Sequence, residues 1–453
     1  MKTSQVLKRY EQGKLDFRGE NLRGQNFKGK NLTGANFSHA DIRGANFAQA
    51  ILTGANFWQA KGGLPKKWAV SLIGFSWLLA ALSGIFSGFA GSFVVLTSES
   101  LDITNQIAGW TAIIILILFC IFSYLQGLEG GLGAVVIALM ATGVIAVAFA
   151  GSLPFSLSMA LTFGVTFCLH LVVAIIAAVA GAIAGAAAGA VAGTAAIAGM
   201  FPFAVIIAFM LAVEEAEVFS FTIFGAGIAA VAVTLLSAYL GWRSIKGDPR
   251  DEWIRQIAIT FTSIGGTSFY QADLTDANFT GATLKSTDLR QATLTRTCFH
   301  DTLKLDGARL GDSILCEPTI RDLLVNPQFG YKQYYGKVSL RGANLDGANL
   351  HRANFKLADL TDATFRGANL EGANLTKAVA NHTNFTGANL TGACVEAWKI
   401  DEGTQLEQVV CDYVFLLEKT NQYGSRKRRP SNDNRSFKPG EFEKLCRPPI
   451  EDE

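Results

Sequence analysis

The chain has 453 residues, a formal net charge of +2 and a mean hydropathy of +0.28. A charge this close to zero is too small to imply a nucleic-acid partner, and the length allows two or three domains. The seven cysteines form no CxxC pair, so they predict reduced structural thiols and no zinc site or disulfide framework.

The first regular pattern is a period of five residues over 15–60. A large apolar residue occupies the centre of each repeat, and Asn or Asp usually precedes it; the centres are Phe17, Leu22, Phe27, Leu32, Phe37, Ile42, Phe47, Leu52 and Phe57. This period fits neither a helix nor a strand. It predicts a coil that directs every fifth side chain to a central axis and must stack on further coils. The segment 1–14 has apolar residues at helical spacing and is predicted to cap the first coil.

The next segment, 66–243, is almost free of charge and contains several apolar runs long enough to cross a bilayer. The predicted number of spans is about six, with five and seven left open. Basic residues flank both ends, Lys61, Lys66 and Lys67 before the first span and Arg243 and Lys246 after the last. This distribution predicts that both termini are cytoplasmic.

Two features inside this apolar segment predict specific contacts. Glycine recurs every four residues at Gly181, Gly185, Gly189 and Gly193. Such a stripe lets helices approach closely, either within the monomer, which is the favoured interpretation, or between copies in a homo-oligomer, or along a pore. His170 is the one ionisable residue between Glu129 and Glu214, and a neutral, hydrogen-bonded histidine is favoured there over a transport role.

The rest of the chain divides into five segments. An amphipathic connector helix is predicted over 248–266, with Asp248 as its cap and Pro249 in its first turn. A second repeat block follows over 267–320, an interruption over 321–337 and a third block over 338–402. The remainder, 403–453, is predicted to be a C-terminal cap with a basic flexible tail.

The repeats resemble the pentapeptide-repeat family, most specifically in LRGANLDGANLHRANF and IRGANFAQAILTGANF. That resemblance implies a right-handed quadrilateral β-helix with four repeats per coil. The whole plan is similar to cyanobacterial membrane pentapeptide-repeat proteins, one of which is linked to heterocyst-glycolipid localisation. The predicted fold class is therefore mixed, with β-helices on both sides of an all-α multi-span transmembrane block.

The function predicted from this plan is a non-enzymatic scaffold in the plasma or thylakoid membrane. Its cytoplasmic rods would bind an unidentified protein partner, and the alternative is a transport or lipid-export component regulated by the rods. No catalytic, cofactor or metal residue is predicted, because no nucleotide-binding, hydrolase or metalloprotease motif occurs. The residues predicted to face a partner each follow a repeat centre by one position: Arg341, Asp346, His351, Lys356, Arg366 and Glu371.

Overall fold

The computed structural model describes residues 1–76, 78, 114, 117–119, 121–127, 129–134, 137, 179, 182–183, 235–236, 239–244, 246–432 and 434–446. The chain divides into two units, one formed by Met1–Gly63 with Gly266–Glu453 and the other by Leu64–Gly265. The helices with described bounds are α1 (Thr3–Glu11), α2 (Glu252–Ile264), α3 (Pro318–Val325) and α4 (Glu441–Cys446), and the strands are β1 (Val414–Phe415) and β2 (Arg428–Arg429).

The first unit is a solenoid whose coils pair through short parallel β-bridges. Residues one coil apart are bridged, as in Asp16 with Asn36 and Asn349 with Asn369. Nearly all of the central Phe and Leu side chains are buried and stack along the axis, and Leu294 is partly buried. One phenylalanine column runs through Phe17, Phe37, Phe57, Phe279 and Phe299, with successive ring centroids 5.5, 5.2, 4.9 and 5.7 Å apart. Each coil therefore buries its apolar face only against its neighbours.

The corners of the coils depend on two slots of the repeat. The residue before each centre holds the turn with its side chain; Asn36 Oδ1 accepts the backbone N–H of Ser38 at 3.1 Å. The residue two places after the centre has a positive φ, as in Gly34 at 67°. Glycine is favoured in this slot because it lacks the Cβ that disfavours the left-handed conformation.

Repeat blocks one and two form a single stack, although 202 residues separate them in the chain. Asn46 bridges Ser268 and Asn56 bridges Asn278, in the same parallel pattern as elsewhere. The chain leaves the stack at Gly63 and returns at Gly266, and the Gly63 backbone N–H donates to Thr267 Oγ1 at 2.8 Å. The sequence analysis treats the two blocks as separate rods; the structure makes Leu64–Gly265 an insertion between two adjacent coils.

The stack changes form between 310 and 333. Two 3-10 turns, Ile314–Cys316 and Pro327–Gly330, flank α3, which buries Ile320, Leu323 and Leu324 in the axial core. Regular coils resume with the bridge between Tyr334 and Asn354 and continue to Cys394 with Phe415. We call the region where α3 replaces a regular coil the junction.

Both ends of the stack are covered. At the N-terminal end, α1 places Val6 in the core. At the C-terminal end, β1 pairs antiparallel with β2, and the guanidinium groups of Arg426 and Arg428 lie over the rings of Phe415 and Tyr413, at 4.0 and 4.4 Å from the ring centroids. The basic stretch predicted to be a flexible tail therefore folds against the last coils over these residues.

In the second unit, the described residues end with a 3-10 turn, Pro249–Asp251, followed by α2. The Asp248 carboxylate accepts the Arg250 backbone N–H at 3.0 Å and caps this turn. Arg243, one of the basic residues that follow the last predicted span, is buried and pairs with the buried Asp251 carboxylate, with 2.5 Å between Nε and Oδ2.

The predicted fold class needs a correction. Within the described part of the chain, no helix combines the length and the apolar character required to cross a membrane. This finding contradicts both the all-α multi-span transmembrane block and the predicted localisation as an integral membrane protein. Most of the predicted spans, with Gly181, Gly185, Gly189, Gly193 and His170, lie outside the described residues.

Candidate interaction groove

The six residues predicted to face a partner are engaged with one another or with adjacent coils. Three ion pairs and one histidine–carboxylate contact result. The N–O distances are 3.0 Å for Arg341 with Asp362, 2.6 Å for Arg366 with Asp346, 3.7 Å for the contact of His351 with Glu371 and 2.6 Å for Lys356 with Glu418. The first three pairs connect successive coils. Their side chains therefore serve the stack itself as well as any external contact.

These six residues do not form one surface. A step of five residues turns the chain onto the next face of the coil, so positions 341, 346, 351 and 356 lie on four different faces, while Asp346 and Arg366 share one. Asp346 and Arg366 line the groove described next. The sequence pattern shows which positions point outward, but it does not show which face is concave.

The groove has a volume of about 450 Å³ and crosses the junction. Its floor is a ladder of residues from the slot before the repeat centres: Asn278 and Cys298 before the junction, and Asn344, Thr364 and Asn384 after it. Asn344 Nδ2 donates to the Arg296 carbonyl at 3.0 Å and ties the two sides together. We call this surface the junction groove.

Two ion pairs line the junction groove, one on each side of the junction. Arg296 Nε donates to Asp276 Oδ1 at 2.7 Å, and Arg366 Nε donates to Asp346 Oδ2 at 2.8 Å. The Asp346 carboxylate also accepts the Thr364 hydroxyl at 2.5 Å and is mostly buried. The Arg366 side chain is 61% exposed, which leaves its guanidinium accessible to a ligand.

A thiol and an imidazole lie at the centre of the junction groove. Cys298 Sγ is 3.3 Å from Thr280 Oγ1, and His300, two residues later, lines the groove with it. Burial raises the pKa of the Cys298 thiol, but the interactions with His300 and Thr280 outweigh burial, so the net pKa shift is downward. Cys298 in turn raises the pKa of His300. Both shifts favour a thiolate beside an imidazolium.

This pair is not among the residues predicted from the sequence, where the cysteines are interpreted as structural thiols and His300 is given no role. The signal was present in TCFH, because residues immediately before and after a repeat centre lie on the same face of a coil. Among the described residues, no group of three or more His, Cys, Asp and Glu side chains could hold a metal ion.

Comparison with known proteins supports the repeat assignment. The family model for pentapeptide repeats matches eight copies, over residues 31–61, 272–312, 337–372 and 358–396. These segments of the chain are pentapeptide repeats. No curated protein matches the chain.

Several solved structures of pentapeptide-repeat proteins are similar to this chain, over different shares of its length. One from the Arabidopsis thaliana thylakoid lumen is 24% identical, with 20% of this chain and 68% of that chain covered and a TM-score of 0.14. HetL, involved in heterocyst differentiation regulation in the cyanobacterium Nostoc, is 13% identical, with 94% and 99% covered and a TM-score of 0.16. A protein from the cyanobacterium Cyanothece is 22% identical, with 31% and 64% covered and a TM-score of 0.12.

Proposed function

We propose that this pentapeptide-repeat protein is an interaction scaffold and that the junction groove is where it binds a protein partner. The observation that carries the proposal is the groove itself, a concave surface of about 450 Å³ where the stack is interrupted by α3. On other faces of the stack, charged side chains pair between successive coils, as Arg341 does with Asp362. At the junction, residues from the coils on both sides line one groove that can accept a ligand.

The chemistry of the groove suits an extended polypeptide segment with an acidic side chain. Asn278 and Asn384 use Oδ1 to hold their own turns, and no hydrogen bond among the described residues uses their Nδ2 atoms. Amide groups spaced along a groove can bond the backbone of an extended segment. The exposed guanidinium of Arg366 would pair with a partner carboxylate through two parallel hydrogen bonds.

The test compares two arginines in the same repeat slot. Arg366 and Arg341 each follow a centre by one position, each pair with an aspartate, and their side chains are 61% and 62% exposed. Only Arg366 lines the groove. Proteins crosslinked to the full chain would be captured, and the affinity of any stoichiometric partner would then be measured for Arg366→Glu and Arg341→Glu.

We expect Arg366→Glu to weaken binding of that partner by at least about tenfold, since truncating or reversing a hydrogen-bonded interface charge costs about 2–5 kcal/mol. Arg341→Glu should bind like the wild type. The proposal is wrong if both substitutions have equal effects, or if no partner binds at a fixed stoichiometry.

A further inference from the structure

Cys298 occupies a position that the repeat normally gives to a turn-forming side chain. On the same ladder, the preceding coil has Asn278, whose Oδ1 accepts the Thr280 backbone N–H at 2.9 Å. A thiol is a weak acceptor and cannot replace that bond well. Turn formation therefore does not explain why a cysteine occupies this position, in a groove and close to a histidine.

The chain contains an internal comparison for this position. Cys394 occupies the same slot in a later coil, and its Sγ lies 3.4 Å from Thr376 Oγ1, much as Cys298 lies beside Thr280. Cys394 is 2% exposed, and the residue two places later is Glu396 instead of a histidine. Both cysteines therefore contact a threonine. Of the two, only Cys298 has a histidine two residues later and lines the junction groove.

His300 has a second feature that points to a ligand. Its Nε2 atom is buried and has no hydrogen-bond partner among the described residues. A buried polar atom without a partner is costly, and the cost is removed when a ligand atom bonds there. Cys298 and His300 both line the junction groove, so a molecule that enters it reaches both groups.

We propose that Cys298 is a reactive thiol that forms a mixed disulfide with a small disulfide entering the junction groove. The Cys298 thiolate attacks one sulfur of the incoming disulfide, and a new S–S bond forms as the old one breaks. The departing sulfur leaves as a thiolate and takes a proton from the His300 imidazolium. The small disulfide is the oxidant, and the reaction needs no other.

The charged groups around this pair set its response to pH. Asp301 lies on the same coil as His300, Asp276 and Arg296 form one side of the groove, and Asp346 and Arg366 form the other. Cys298 contributes most to the raised pKa of His300, burial opposes it, and the Asp346 and Asp301 carboxylates raise it further. The proposal does not depend on the protein partner proposed above, because it concerns the thiol in the free chain.

The first experiment measures alkylation of individual cysteines in the full chain by iodoacetamide across pH, with peptide mass spectrometry. Cys316 is an exposed free thiol in the same molecule and provides the reference. We expect alkylation of Cys298 to persist at lower pH than that of Cys316. His300→Gln should reduce its rate at pH 6.5 by about tenfold for each pKa unit lost.

The second experiment incubates the chain with glutathione disulfide and locates the adduct. We expect one mixed disulfide at Cys298, none at that position in Cys298→Ser, and slower formation in His300→Gln. His351→Gln, a histidine on another face, is the matched control and should behave like the wild type. The proposal is overturned if Cys316 reacts while Cys298 does not, or if His300→Gln, shown to be folded by its unfolding transition, reacts at the wild-type rate.

Discussion

At the scale of single residues, the slot before each repeat centre combines turn formation with contacts between coils. Asp41 is the most strongly connected example. Its carboxylate accepts Arg43 Nε at 2.9 Å within its own turn and Arg23 Nε at 2.7 Å from the previous coil. Burial raises the pKa of Asp41, yet the hydrogen bonds from the two arginines outweigh burial and hold it well below its ordinary value.

The substitution Asp41→Asn should therefore destabilise the solenoid in a pH-dependent way. A carboxylate whose pKa is lowered on folding stabilises the folded state above its unfolded pKa, and that contribution is lost as pH falls toward the folded pKa. We expect a loss of about 1 kcal/mol near pH 7, discounted for partial solvent screening. The difference from wild type should shrink as pH falls below about 4.

Chemical unfolding at several pH values measures this effect. Asp16→Asn is the matched control, because Asp16 pairs with Arg18 in the same slot but is exposed at the first coil. Asp16→Asn should change the free energy of unfolding much less than Asp41→Asn does. The prediction is contradicted if the difference in the free energy of unfolding between wild type and Asp41→Asn stays constant from pH 7 to pH 3.

At the scale of elements, the helix α1 closes one end of the stack. Val6 is fully buried, the N-terminal ammonium donates to the Asn21 carbonyl at 2.7 Å, and the Tyr10 hydroxyl donates to the Thr33 carbonyl at 3.0 Å. Without this helix, the first coil would expose apolar side chains and unpaired backbone groups. Such an edge is a template for another chain.

We expect Val6→Asp to detach α1 and cause end-to-end self-association, because a buried carboxylate without a partner is strongly unfavourable. Light scattering over a range of concentrations should show mass increasing with concentration. Ser4→Asp places the same charge at an exposed position of α1 and should remain like the wild type. Monomeric behaviour of Val6→Asp would mean that the cap does not protect the end.

Much of each coil could be predicted from sequence, because the contacts that define a coil repeat locally. The period of five identifies the buried centres, and Phe37 and Leu345 are both fully buried. The junction groove could not be predicted in the same way. It depends on α3 interrupting the stack, and the sequence around Pro318 shows only that the period fails there.

At the scale of the whole molecule, the insertion keeps the register of the coil. Removing Leu64–Gly265 leaves Asn46 and Ser268 one coil of 20 residues apart, as most of the bridged pairs are. Joined to Gly63, Gly266 would occupy the slot that has a positive φ in other repeats. Sequence spacing alone does not reveal that the two repeat blocks share one coil register, because blocks so far apart in the chain resemble two separate solenoids.

A chain in which Gly63 is joined directly to Gly266 should keep the complete stack. We expect one cooperative unfolding transition and the β-rich circular dichroism of a solenoid. Joining Gly62 to Gly266 removes one further residue and is the control, since a shift of register by one residue moves inward side chains outward. If both joined chains are unfolded, the stack requires Leu64–Gly265.

The long insertion also has a consequence for the order of folding. Most coils close over 20 residues, but Gln49 meets Gln271 across a separation of 222 residues. Closing the longer loop costs roughly 2 kcal/mol more in chain entropy. Each coil of a solenoid is stabilised by contacts with the adjacent coils. Folding should therefore nucleate in the uninterrupted coils after the junction. The N-terminal coils would be the last to assemble and the first to detach.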